Sequence, residues 1–462
     1  MELKDKRVLV YGAGRSGIGA ADLLAAAGAS PVLYADKTDV SPEEIRKQLA
    51  CPEKAEVIVG PFPEGEEARL DIVVLSPGVP TDLPLVIKLR DAGLPVIGEV
   101  ELAYQTAKGR VLAITGTNGK TTTTALVGAI MAAHDPDTFV VGNIGNAYTK
   151  EALNTTEHST VVAEISSFQL ETIKAFHPAV SAILNITEDH LNRHHTMEEY
   201  IRVKELITLN QPKSAVCVLN YEDAVLRSFG ETACPARVIW FSSARELPEG
   251  LFLKDGHIVM RSGGETKDIL DTEKLMLIGA HNFENVMAAV AMTMSAGVPL
   301  ETIVKAAYAF EPVAHRIEFA GKKRGVVWYN DSKGTNPDAA IKGIEAMKWP
   351  TFLIAGGYDK GSDYRDWIRA FGGRVKKLVL EGKTRFDIRD AALQCGFPEE
   401  DIVIVETMRE AMDYCRDHAE EGDAVLLSPA CASWDMFSSY EERGKLFKQY
   451  VNEIEDPGKS VR

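Results

Sequence analysis

The chain lacks several features that would assign it at once. No two of its six cysteines (Cys51, Cys217, Cys234, Cys395, Cys415, Cys431) stand as C-x-x-C, which argues against a zinc ribbon and for reduced thiols in a cytosolic protein. No apolar run approaches membrane-spanning length, so no membrane association is expected. Met1 to Arg7 carries both signs of charge and leads straight into the strand-like Val8 to Tyr11, without the apolar stretch and cleavage site of a signal peptide. Positive charge is scarce: 51 Lys and Arg against 67 Asp and Glu leave a net −16, which disfavours nonspecific binding to nucleic acid. An anionic substrate therefore has to meet local positive charge. Periodic repeats are missing too. The expectation is a cytoplasmic monomer without nucleic-acid, membrane or protein partners.

What is present is α/β. At about 150 residues per domain, 462 residues suggest about three domains. From residue 8 to about 99, short β-branched runs (Val8 to Tyr11, Pro31 to Ala35, Glu56 to Val59, Ile72 to Leu75, Pro95 to Ile97) alternate with Ala- and Leu-rich helical stretches, the pattern of a parallel sheet. A second α/β set begins at Val111 and continues through Thr160 to Ile165, Ser181 to Ile186, Ala215 to Leu219 and Val238 to Phe241. After a junction near Glu311-Pro312 a third follows: Gly325 to Tyr329, Phe352 to Ala355, Lys377 to Leu380, Ile402 to Val405 and Ala424 to Leu427. The domains read as 1–99, 100–312 and 313–462.

The strand Val111 to Ile114 empties into Thr-Gly-Thr-Asn-Gly-Lys-Thr-Thr-Thr, residues 115–123. Gly116 and Gly119 let the backbone turn its amides toward anionic oxygens, Lys120 adds a mobile positive charge, Thr121 a metal-facing hydroxyl, and the helix from Thr121 to Ala133 its dipole. The full P-loop pattern wants glycine where Ile114 stands, so this is a shortened relative of that motif. Nucleotide chemistry is the first hypothesis.

Gly12-Ala-Gly-Arg-Ser-Gly17, followed by Asp36 at the end of the next strand, fits the dinucleotide fingerprint. The physics asks only that amides at a helix start grip a diphosphate and that an acid accept hydroxyls. NAD, a UDP-type ligand and an empty structural turn all satisfy it.

Glu164 ends a strand of the second set, where an α/β nucleotide site expects a magnesium-handling carboxylate; an exposed strand-end acid is the plain alternative. His190 and His194, four apart, would face one another on a helix, yet no H-E-x-x-H signature or third ligand supports zinc. Thr196 and Glu199 suggest a capping box and a helix from about Met197 to Leu209. On that helix Lys204 falls within the apolar arc of Tyr200, Ile201 and Ile207, so it is expected to be at least partly buried. Burial would lower its pKa from about 10.4 and free a neutral amine to form a carbamate with carbon dioxide. A stem snorkelling to solvent is the alternative.

Gly-Thr-Asn-Gly-Lys-Thr-Thr (116–122), Glu-Ile-Ser-Ser-Phe-Gln-Leu-Glu (164–171), Leu-Asn-Ile-Thr-Glu-Asp-His (184–190) and Asn-Asp-Ser-Lys-Gly-Thr (330–335) resemble the Mur ligase family, as do Gly356 to Gly361 and Leu427 to Phe437. The resemblance covers all three domains. It implies an N-terminal Rossmann-like domain for a UDP substrate, a central P-loop ATPase-like domain and a C-terminal Rossmann-like domain. The implied activity is ATP-dependent addition of D-glutamate to UDP-N-acetylmuramoyl-L-alanine in peptidoglycan precursor synthesis. Gly14, Arg15 and Ser16, with Asp36 and Lys37, would then hold the uridine diphosphate, and Ser76, Pro77, Gly78 and Asn143 the rest of that substrate. Gly116, Thr117, Asn118, Gly119, Lys120, Thr121 and Thr122 would carry ATP, with Asn282 at adenine and Arg316 and Asp331 at the nucleotide. Two magnesium ions would sit among Thr121, Glu164, His190 and a carbamate on Lys204. Lys333 and Thr335 would approach both D-glutamate and the transferred phosphoryl group, and Lys360, Ser433 and Tyr440 would hold D-glutamate. Lys120, Glu164, His190, Lys204 and Lys333 form the implied catalytic set. Two departures stand out: family members often have aspartate at Asn192 and leucine at Trp434. Rival readings are a ligase for another amino acid, a folylpolyglutamate-type ligase, a nicotinamide oxidoreductase and a non-catalytic nucleotide sensor.

Overall fold

The computed structural model describes residues 1–37, 40–358 and 361–455, and these build three sheets. The first consists of β1 (Arg7–Tyr11), β2 (Ser30–Ala35), β3 (Glu56–Val59), β4 (Ile72–Leu75) and β5 (Val96–Gly98), all parallel in the order β3-β2-β1-β4-β5. These strands read as continuous apolar runs because helices cover both faces. In β4 every residue is buried.

The second sheet has nine strands: β6 (Arg110–Thr115), β7 (Thr138–Gly142), β8 (Thr160–Glu164), β9 (Val180–Ile183), β10 (Val216–Asn220), β11 (Arg237–Ser242), β12 (Gly250–Lys254), β13 (His257–Ser262) and β14 (Glu265–Asp271). Their order, β14-β13-β12-β11-β10-β9-β6-β8-β7, puts β6 between β9 and β8, so the phosphate-type loop leaves the middle of the sheet where ligands of open α/β sheets collect. β13 runs antiparallel to both β12 and β14, an extension the sequence reading passed over along with β7. Residues 265–268 of β14 are exposed, including the charged Glu265, Lys267 and Asp268.

The third sheet, β15 (Glu318–Lys323), β16 (Val326–Asn330), β17 (Thr351–Gly356), β18 (Val375–Glu381), β19 (Ile402–Ile404) and β20 (Ala424–Leu427), runs β15-β16-β20-β17-β18-β19. It is parallel except for β15. Pro337 opens the helix Pro337–Glu345 after β16, capped by Asn336. By contacts the chain divides into two compact units: Met1–Asp271 with Glu284–Ala307, and Thr272–Phe283 with Tyr308 onward. No helix among the described residues is long and apolar enough to cross a membrane.

Within the first unit the first two sheets are fastened by acids on the helix Glu99–Thr106. Glu101 is fully buried, and its carboxylate accepts the backbone N–H groups of Lys174 (2.8 Å), Ala175 (2.8 Å) and Phe176 (3.1 Å). Each such donor left orphaned in the interior costs about 1–3 kcal/mol. Only the Phe176 bond is fully buried, so Glu101→Ala is expected to lower stability by about 1–3 kcal/mol and to speed hydrogen exchange at the three amides. A melting curve and mass-resolved exchange check both.

Candidate active site

The glycine turn after β1 is a close-packed device. A Cβ on Gly17 would lie 1.7 Å from the Gly12 carbonyl oxygen, and Gly12 itself has φ +107°. Only glycine meets both demands. Gly14 precedes the helix Arg15–Ala26, whose first amides face outward beside half-buried Ser16 and exposed Arg15. Ser76, just past β4, donates its hydroxyl to Gly12 O at 3.0 Å, bringing Ser76, Pro77 and Gly78 to the same sheet edge. Asp36 follows β2 there and accepts the Tyr11 hydroxyl at 3.1 Å, beside exposed Lys37.

The loop after β6 is held from below by a second loop. Asn118 N–H donates to Asn185 Oδ1 (2.8 Å) and Asn185 Nδ2 returns to Asn118 O (3.2 Å), while Thr117 N–H donates to Asn185 O (2.9 Å). Gly119 sits at φ +84°, and a Cβ there would fall 2.2 Å from Asn285 Oδ1. The helix Lys120–His134 starts directly after it. Lys120 Nζ folds back onto the carbonyls of Gly116 (2.8 Å) and Thr117 (2.9 Å).

Lys204 arrives at the same carbonyl from elsewhere in the unit. Its helix, Met197–Glu205, is shorter than expected, with a 3-10 turn over Leu206–Thr208. The capping box is half formed: Thr196 accepts Glu199 N–H, but the Glu199 carboxylate pairs with Arg202 instead. Lys204 is 1% exposed, so it is buried and does not snorkel. Its Nζ donates to Gly116 O at 2.8 Å and lies 4.6 Å from the centre of the Tyr200 ring. Burial, then the charge of Lys120, pushes its pKa well below the ordinary lysine value. Tyr200 in turn meets Thr117 Oγ1 at 3.1 Å, and burial pushes its phenol up to about 12.

Glu164 ends β8 opposite Ile114 of β6 and is 1% exposed. Its Oε1 accepts Asn143 Nδ2 at 2.8 Å, whereas Oε2 is buried without a hydrogen-bond partner. An orphaned carboxylate oxygen beside a phosphate-type loop suits a divalent cation, with the Thr121 hydroxyl as a further oxygen donor. Asn143, expected at the UDP substrate, is thus tied to the Glu164 side of the loop. His190 is half-exposed, at φ 53°, against Phe168 (4.9 Å between ring centres). His194 is buried, 2.9 Å from Ser167 Oγ and also against Phe168, whereas His190 stays half-exposed. Among the described residues no three His, Cys, Asp or Glu side chains are grouped to hold a metal.

In the second unit the residues cluster where β16 and β20 end. Asp331 is buried, accepts Ser428 Oγ at 2.7 Å and Ile317 N–H at 3.3 Å, and burial pushes its carboxyl up to about 7. Arg316 Nε is buried without a partner. Lys333 Nζ lies 5.7 Å from the Tyr440 ring centre, and Thr335 N–H donates to Lys333 O. Ser433 is buried, and next to it Trp434 is 64% exposed against Tyr358. Asn282 is buried, its amide donating to Ile278 O at 2.8 Å. Lys360 lies outside the described residues. Arg443, given no role from sequence, is buried and donates to Ser332 Oγ (2.9 Å), Ser332 O (2.9 Å) and Cys431 O (3.2 Å). Asn185 was likewise missed, although it stands in a motif quoted above.

Comparison with known proteins gives a consistent assignment. Residues 6–98 match the model of a Mur ligase MurD-like N-terminal domain, 114–293 that of the Mur ligase middle domain, and 315–431 that of the Mur ligase glutamate ligase domain. The chain is 54% identical to a UDP-N-acetylmuramoylalanine--D-glutamate ligase of Lachnoclostridium phytofermentans, over 99% of this chain and all of that protein. It is 53% identical to one of Lachnospira eligens over 98% of this chain, again covering all of the relative. Among solved structures, a UDP-N-acetylmuramate-alanine ligase from Thermotoga maritima shares the fold at TM-score 0.59 and 18% identity, covering 97% of this chain and all of that one. A MurF ligase from the same organism, solved with ADP, does so at 0.58 and 17%, covering 98% and 96%. With three consecutive domain models and full-length relatives above half identity, the chain belongs to the Mur ligase family.

Proposed function

We propose that this enzyme joins D-glutamate to UDP-N-acetylmuramoyl-L-alanine at the expense of ATP, in the cytoplasmic synthesis of peptidoglycan precursors. The full-length relatives that carry this activity in their names support the reaction. The observation that carries the mechanism is the meeting of Lys120 and Lys204 on the Gly116 carbonyl beside the orphaned oxygen of Glu164.

The muramoyl-L-alanine carboxylate is a poor electrophile, so it first attacks the γ-phosphate of ATP, giving an acyl phosphate and ADP. Such a transfer asks the protein for positioning and charge neutralisation more than for covalent help. The loop amides of Gly116 to Thr122 and the Lys120 ammonium grip the phosphates, and the Asn118–Asn185 clasp holds that loop in shape. The D-glutamate amine then attacks the acyl carbon, and phosphate departs as the amide forms. Lys333, Thr335, Lys360, Ser433 and Tyr440 serve the amino acid, Asn282, Arg316 and Asp331 the nucleotide, and Gly14, Arg15, Ser16, Asp36, Lys37, Ser76, Pro77, Gly78 and Asn143 the UDP substrate. Thr121, Glu164, His190 and a carbamate on Lys204 would hold two magnesium ions, which when bound neutralise charge on the transferring phosphoryl group.

The carbamate reading draws support from electrostatics. A charged Lys204, buried away from solvent, would be repelled by the Lys120 ammonium on the same carbonyl, which favours its neutral amine. Converting its amine into a carbamate replaces that repulsion by attraction to Lys120 and supplies an oxygen ligand.

Three outcomes are expected. Phosphate release from ATP requires both UDP-N-acetylmuramoyl-L-alanine and D-glutamate, and release that ignores D-glutamate would refute the assignment. Lys204→Ala lowers kcat about a hundredfold or more, and a short carboxylic acid in the buffer restores part of it; full activity without rescue would remove the carbamate. Because only the neutral amine reacts, recarbamylation of enzyme stripped of carbon dioxide rises with pH through the depressed Lys204 pKa. Carbon-13 NMR with labelled bicarbonate follows it.

A further inference from the structure

The mechanism leaves one buried acid unused. Glu99 is the first residue of the helix after β5 and is 4% exposed, and burial pushes its carboxyl up to about 7. Its Oε1 accepts Gln169 Nε2 at 2.9 Å, while Oε2 is buried without a partner. An acid at a helix start already profits from the dipole when exposed, so the dipole alone does not explain the burial.

Gln169 links it to the loop. The Gln169 carboxamide oxygen accepts both the N–H (2.8 Å) and the hydroxyl (2.9 Å) of Ser166, and Ser166 Oγ lies 3.4 Å from Gln169 N, closing a capping box around the turn Ser167–Leu170. With its oxygen engaged, the amide has only its NH₂ to offer, and Glu99 is the acceptor that fixes this orientation. Ser166 follows Glu164 by two residues, just after the Ile165 N–H has bonded Ile114 O at 2.9 Å. The backbone beside Glu99 leaves no slack, since a Cβ on Gly98 would lie 2.2 Å from Thr172 Oγ1.

We infer that Glu99 is a positioning residue for Glu164: by holding Gln169 it locks the Ser166–Gln169 box, and with it the angle at which the Glu164 carboxylate leaves β8 and the affinity of that carboxylate for a divalent cation. This rests on the ligase reading only in giving Glu164 the cation. Removing a direct hydrogen-bond partner of a metal ligand typically costs about 10–100-fold in metal affinity, and Glu99, acting through Gln169 and Ser166, is expected at the lower end of that range.

The test is Mn²⁺ binding to the whole enzyme with ADP, followed by the electron paramagnetic resonance of free Mn²⁺. Glu99→Gln keeps the acceptor oxygen and stays within about twofold of wild type, whereas Glu99→Leu and Gln169→Leu each weaken binding about tenfold. The double variant is no weaker than the worse single variant, since both break one link. Wild-type affinity in either leucine variant, or losses that multiply in the double variant, would overturn the inference. If Glu99→Leu does not fold, Gln169→Leu decides alone by the same reading. An enzyme that binds Mn²⁺ as expected but makes no amide with D-glutamate would sink the ligase reading and leave this one standing.

Discussion

Much of the first unit is arranged around one backbone carbonyl. Gly116 O receives both Lys120, from the helix its own loop begins, and Lys204, from a helix 84 residues further on. A carbonyl has two lone pairs, and here both go to lysines in a space that excludes water. The loop carbonyl is thus the acceptor that receives the buried Lys204 amine. Tyr200 adds to this by packing on Lys204 and reaching Thr117. The apolar stripe of Met197–Glu205 thus carries an amine inward to a defined acceptor.

A second constraint ties the first two sheets together with acids. Glu101 caps three consecutive amides, Glu99 holds Gln169, and Arg193 bridges Glu171 to the Val79 carbonyl. These links reach the 164–176 segment, which begins with the carboxylate assigned to the cation. Glu99 at the boundary and the Val79 carbonyl before it are thereby joined to that segment, which makes the grouping of the first two sheets in one compact unit intelligible.

The phosphate-type loop was legible because it rests on local rules: glycines at positive φ, a lysine, and a helix start. Helical periodicity placed Lys204 among apolar neighbours but left open a stem that snorkels to solvent, and only the folded chain closes that route. The glycine fingerprint was legible as a tight strand-to-helix turn but not as a choice of ligand, since NAD and UDP ask the same of a backbone. The antiparallel extension had a signal that went unused. Asp255-Gly256 and Gly263-Gly264, with φ of 49° and 79° and of 59° and 82°, are two-residue hairpin turns of the kind that pair positive dihedrals. The Asn118–Asn185 clasp and the partners of Glu99 and Arg443 were not legible, because each joins segments far apart in sequence and only the folded chain brings them within reach.

The same extension has a consequence for how copies of this enzyme coexist. By adding β12 to β14, the chain moves the open border of its largest sheet from β11 out to β14, which presents Glu265, Lys267 and Asp268 to solvent. An unpaired border invites a neighbouring molecule to zip onto it, and charged side chains of both signs along it make such joining costly. The hairpins thus guard against aggregation at crowded concentrations while leaving the nucleotide loop, several strands inward, undisturbed.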